Sequence, residues 1–100
     1  MKNKIKDKIM ARDMCADVRM EEGYMRMSIE YNNDTSRTKI ESIIAQVEKQ
    51  MQLFPSVIRR AISEHAGNIS VEFDTEWVQR EAGEFCEIVL HKLGIDHCQV

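Results

Sequence analysis

At 100 residues the chain has room for one small domain, which buries roughly two-thirds of the surface its unfolded form exposes. Its 43% hydrophobic and 31% charged residues, with four glycines and one proline, describe a foldable globular sequence and exclude disordered, collagen-like and large modular classes. The net charge of −3 is unevenly spread, near +4 over residues 1–12, −1 over 13–63 and −6 over 64–100, so a uniformly basic nucleic-acid-binding chain is excluded as well.

The first element is expected to be a helix over residues 3–19, with Ile5, Ile9, Met10, Met14 and Val18 as its apolar members. Residues 1–22 then form a basic N-terminal helical extension, and residues 23–100 a single α+β domain. After Glu21-Glu22-Gly23 the period changes. Met25, Met27, Ile29 and Tyr31 alternate with Arg26, Ser28 and Glu30, the mark of a strand with one apolar face. Asn32-Asn33-Asp34 reads as a turn. Thr38 and Glu41 fit a capping box, opening a helix to about Leu53 on Ile40, Ile43, Ile44, Val47 and Met51, which Pro55 stops.

Residues 56–67 admit two readings. As a helix, Ile58, Ala61, Ile62 and His65 share a face, Ser56 caps the start and Gly67 the end. As a strand over 57–62, both caps go unused, so the helix is favoured. Ile69, Val71 and Phe73 then alternate with Ser70, Glu72 and Asp74 in a second strand. A last helix runs from about Glu76 to Leu93, stopped by Gly94. Val78, Ala82, Phe85, Val89 and Leu93 form its apolar stripe, with Trp77 and Ile88 at the margin and Glu76, Arg80, Glu84, Glu87 and His91 opposite. The expected fold is therefore α+β, a small sheet of two strands, or three if residues 57–62 pair, packed with three to four helices.

Chemistry is sparse in this pattern. Cys15, Cys86 and Cys98 are an odd number at unhelpful spacing, so no disulfide framework follows and a reducing compartment is the simpler reading. His91, His97, Cys98 and Cys86 lack the two tight pairs of a zinc site. Cys15 with His65, or Cys86 with His91, could make a thiolate–imidazole pair, but neither sits in a nucleophile turn. No glycine-rich phosphate loop or His-Glu-x-x-His occurs. The expectation is a protein without catalytic, cofactor or metal residues. Apolar runs are too short to span a bilayer, and residues 1–8 lack the apolar stretch of a secretory signal, which points to the cytoplasm. Met10, Met14, Met20, Met25 and Met27 crowd the first third, either as core filler or as an adaptable contact surface.

Three resemblances bear on function. The stretch Met25-Arg26-Met27-Ser28-Ile29, a helix, and then Ser56-Val57-Ile58-Arg59-Arg60-Ala61-Ile62 resembles ribbon-helix-helix DNA-binding proteins, which implies Arg26, Ser28 and Glu30 facing the major groove of a palindromic duplex. With residues 57–62 as a strand, the order from Met25 becomes βαββα, and with Leu53-Phe54-Pro55 ending the first helix and an acidic-rich helix closing the chain it resembles the DinI-like family of bacterial and phage modulators of the RecA filament. In size and character, a small acidic chain with a basic leader, it is also similar to the anti-RecBCD proteins of temperate phages. The last two imply a phage-type accessory protein, in the bacterial host cytoplasm, that binds RecA or RecBCD and modulates host recombination or repair. The partner-binding residues expected on charge are Lys2, Lys4, Lys6, Lys8 and Arg12 in the leader, with Glu76, Glu84 and Glu87 on the last helix. Those carboxylates could mimic phosphates, although Glu76–Arg80 and Glu87–His91 are also ordinary i,i+4 neighbours on a solvated face.

Overall fold

The computed structural model describes residues 14–21, 23–74 and 79–95. Its elements in chain order are β1 (Met14–Glu21), β2 (Tyr24–Tyr31), α1 (Asp34–Met51), β3 (Ser56–Ala61), β4 (Gly67–Phe73) and α2 (Gln79–Leu93). The four strands form one sheet in the order β1-β2-β4-β3, with every neighbouring pair antiparallel. This corrects the expected two- or three-stranded sheet with three to four helices: the described residues form four strands and two helices.

Two segments account for the difference. Residues 14–21, expected to end a helix, form β1 instead, while residues 1–13 of the expected extension lie outside the described residues. Met14, Ala16, Val18 and Met20 alternate with Cys15, Asp17, Arg19 and Glu21, and the two-residue step to Tyr24, with Gly23 at φ 73°, folds β1 onto β2 from Met14↔Tyr31 to Glu21↔Tyr24. The second is the ambiguous stretch. Ser56–Ala61 is a strand because β4 has two edges to satisfy: β2 takes one and β3 the other. Gly67 caps no helix; it opens β4 opposite Ala61 and Tyr31, where a Cβ would collide with the Arg60 carbonyl oxygen and the Tyr31 hydroxyl.

The expected strand over 68–73 and the strand Tyr24–Tyr31 are present, as is the long helix after the Asn-Asn-Asp turn, although α1 begins earlier than expected. Asn33, in extended geometry, is its N-cap and accepts the Ser36 N–H at 2.7 Å; Thr38 and Glu41 lie inside the helix rather than at its start. At the other end Gln52 takes the left-handed conformation, and the Leu53 N–H donates to the Glu48 carbonyl at 3.2 Å, so the chain has already left the helix before Pro55. Gly94, at φ 73°, ends α2 at the expected place; residues 75–78, which include Glu76, Trp77 and Val78, lie outside the described residues.

Both helices pack on one face of the sheet. Met25, Met27, Ile29, Ile69, Val71 and Phe73 point into the layer between, against Ile40, Ile44 and Val47 from α1 and Ala82, Phe85, Cys86, Val89 and Leu93 from α2. Phe73 meets Phe85 edge to face, ring centroids 5.3 Å apart at 72°. Met25 and Met27 are therefore core, whereas Met20 is exposed. Among the described residues the other sheet face carries no helix. Its rows, read across β1, β2, β4 and β3, are Cys15–Glu30–Asn68–Arg60, Asp17–Ser28–Ser70–Ile58 and Arg19–Arg26–Glu72–Ser56.

Candidate interaction surface

Three exposed regions are available for contact. The first is the outer arc of α2. Because 3.6 residues make a turn, burying Ala82, Phe85, Cys86 and Val89 leaves Arg80, Glu84, Glu87 and His91 outward. Arg80, Gly83, Glu84 and Glu87 line a shallow depression of about 620 Å³. Of the residues expected to bind a partner, Glu84 and Glu87 are thus exposed together on one helix face. Glu76 and the leader cations Lys2, Lys4, Lys6, Lys8 and Arg12 lie outside the described residues.

The second region is the open sheet face. Ser28 and Ser70 hydroxyls meet at 2.9 Å across β2 and β4, and around them Arg19, Arg26 and Arg60 are interspersed with Asp17, Glu21, Glu30 and Glu72. Such a mixed face lacks the one-signed charge that phosphate binding demands. Arg26, Ser28 and Glu30, which the ribbon-helix-helix resemblance would aim at DNA, do lie on it. Their strand, however, is internal: β1 occupies one edge and β4 the other. A ribbon shared between two copies needs a free edge on that strand, and the second helix of that fold is here the strand β3.

The third region is β3 itself, whose six residues are all exposed. Polar contacts tie its hairpin to α1: His65 Nδ1 is hydrogen-bonded to Asp34 Oδ2 at 3.2 Å and Arg59 lies 2.9 Å from Glu41, while within α1 Arg37 bridges the same two carboxylates, 3.9 Å from Asp34 and 3.5 Å from Glu41. Each is solvent-screened and contributes at most about 1 kcal/mol. Sequence reasoning overlooked this surface because the helix reading buried one side of it.

The groups weighed for catalysis are kept apart. Cys15 is on β1 and His65 in the hairpin at the opposite sheet edge, engaged with Asp34. Cys86 is buried on Met25, Sγ to Sδ 3.9 Å, and its thiol is pushed up to about 12 by burial and, secondarily, by the Glu87 carboxylate, which opposes a thiolate there. His91, on the same helix, is exposed. Cys15 is disulfide-bonded, which corrects the cysteine reading and withdraws it as an argument for a reducing compartment. Among the described residues no three His, Cys, Asp or Glu side chains are placed to hold a metal ion, and no helix is long and apolar enough to cross a membrane. The depression along α1, about 510 Å³, is lined by Asp34, Thr35, Thr38, Lys39, Ser42 and Ile43.

The fold is thus a two-layer α+β sandwich of order ββαββα. Comparison with family models, with curated proteins and with solved structures finds no match to this chain.

Proposed function

We propose that this chain is a non-enzymatic accessory protein of the phage type that binds a protein of the bacterial DNA recombination or repair machinery and modulates it by occupying its surface. The observation that carries the reading is the strand Ser56–Ala61. With it, the order from Tyr24 onward is βαββα, the order on which the resemblance to the DinI-like modulators of RecA rests. The closing helix, which presents Glu81, Glu84 and Glu87 to solvent, agrees with an acidic contact surface that would steer association with a basic partner. RecA is the first partner to test and RecBCD the second, and the bacterial cytoplasm follows as the location because both act there.

The test is binding of the full chain to purified RecA and RecBCD, with strand-exchange and nuclease assays run beside it. Binding to either with altered activity is the expected result. Binding to neither, together with tight salt-dependent binding to a palindromic duplex, would overturn the proposal in favour of DNA recognition. Deleting residues 1–12 reads the leader separately: its cations matter only if partner affinity falls and becomes less salt-sensitive.

A further inference from the structure

Among the described residues β3 is an edge strand whose outward backbone row meets no other strand, and it carries a concentration of exposed apolar side chains. The exposed large apolar residues of the described chain are Met20 and four others, Phe54 (59%), Val57 (44%), Ile58 (38%) and Ile62 (74%), all four in or beside β3. Natural edges are normally blunted by charged side chains, proline or a bulge; here the charges are Arg59, paired with Glu41, and Arg60 on the opposite face of the strand. This one pairs with β4 without a bulge and has Pro55 only at its margin.

The direction of the free backbone groups follows from the hairpin. Ile62 N–H donates to the Ala66 carbonyl at 2.8 Å, so Ile62 faces β4. Alternation along an unbulged antiparallel pair then turns Arg60 and Ile58 to β4 as well, and leaves Val57, Arg59 and Ala61 with N–H and C=O toward the open edge.

We infer that this edge pairs antiparallel with β3 of a second copy of the chain, about a two-fold axis at Ile58, joining two four-stranded sheets into one of eight. The pattern is palindromic about that position. Ile58 meets the partner's Ile58 on the open sheet face, and Phe54 and Ile62, which flank β3 at its two ends, come level with the partner's Ile62 and the partner's Phe54. The outward backbone groups of Val57 and Arg59 pair with those of the partner's Arg59 and Val57, so the dyad falls between hydrogen-bonded pairs, as antiparallel geometry requires. Charge favours this register over the one with its axis at Arg59. Arg60 stands opposite the partner's Ser56 and Arg59 opposite the partner's Val57, with Arg59 already held by Glu41 at 2.9 Å. Shifting the axis by one residue, to Arg59, would set Arg59 against the partner's Arg59 and Ile58 against the partner's Arg60, losing the apolar match and opposing like charges. The inference stands apart from the identity of any recombination partner, and its test uses the chain alone.

The full chain is followed by sedimentation equilibrium across the micromolar range, where a monomer–dimer equilibrium is expected. Ile58→Lys, which opposes two cations at the axis, raises the dissociation constant about tenfold or more. Val57→Pro removes an N–H that β4 does not use and weakens the dimer while leaving the far-ultraviolet circular dichroism unchanged. Register is read by mild oxidation against the unsubstituted chain. In a non-hydrogen-bonded pair the Cα atoms lie about 4.5 Å apart, within disulfide reach, so Ile58→Cys gives a covalent dimer and Arg60→Cys does not. A chain monomeric throughout, as it would be if the edge served an unrelated partner's strand, overturns the inference. So does an Arg60→Cys variant that bridges as readily as Ile58→Cys.

Discussion

Replacing Gly67 with alanine tests the fold at the point where residues 56–67 leave the helical reading. The added methyl would meet three groups: the Arg60 carbonyl oxygen, the Tyr31 hydroxyl at 2.6 Å and the Ala61 Cα at 3.0 Å. All three lie inside the 3.4 Å at which ordinary contact begins, and two are backbone atoms of the paired strand, which can move only by opening the β3–β4 ladder. Overpacking of this kind costs about 1–3 kcal/mol. With Tyr31 wedged from the other side, the expected cost is near the upper limit. In a domain of this size that lowers Tm by roughly 10–20 °C. The decisive measurement is a double-mutant cycle in urea. Tyr31→Phe removes the hydroxyl but not the carbonyl, so it recovers part of the Gly67→Ala cost, with a coupling of about 0.5–1.5 kcal/mol. Were Gly67 the end of a helix instead, alanine would cost about 1 kcal/mol and Tyr31 would not couple to it. A Gly67→Ala penalty that is the same in both backgrounds would refute the strand reasoning.

Further outcomes follow from the same packing. Asn33→Ala should destabilise by about 1 kcal/mol in chemical denaturation, whereas Thr38→Ala should stay within about 0.5 kcal/mol, because the cap of α1 is Asn33. Phe85→Ala, which empties the ring that meets Phe73, should cost about 3–5 kcal/mol, a large share of the roughly 5–15 kcal/mol of a typical domain, read as a lower urea midpoint. Cys86 should resist alkylation in the folded chain at mildly alkaline pH and react on unfolding. Its unfolded thiol ionises near its ordinary 9.0 and the folded one near 12. Between these values the unfolded state therefore binds fewer protons, and this thiol's contribution to stability, present below pH 9, declines as pH rises toward 12, by at most about 1.4 kcal/mol per unit. Cys86→Ala should remove that component of the slope, measured as urea midpoints across the window.

How much of this was legible depended on how each element is buried. β2, β4 and α2 each have one face in the core and one in water, so their periods of 2 and 3.6 stand out in the residue order. β1 was misread because residues four apart share a face in a strand as well as in a helix. Met14 and Val18 satisfy both, and only Ala16 and Met20, on the same alternation, favour the strand. β3 carries no burial contrast at all, so its helix-like punctuation, Ser56 and Gly67, was the stronger local signal and the wrong one. The candidate surface divides in the same way. Glu84 and Glu87 were readable from the helical arc opposite the apolar stripe, while the β3 edge depends on which strand lies outermost, a property of topology.

By itself, the sequence determined the α+β class, the sharp charge gradient, the apolar faces of β2, β4 and α2, and the end of α2 at Gly94. The tertiary structure decided that residues 14–21 and 56–61 are strands, because backbone groups of β2 and β4 needed partners on both edges and local propensity carries no record of that demand. It also decided that Arg26, Ser28 and Glu30 belong to an internal strand, and that Phe54, Val57, Ile58 and Ile62, scattered apolar residues in the linear chain, gather along one open edge.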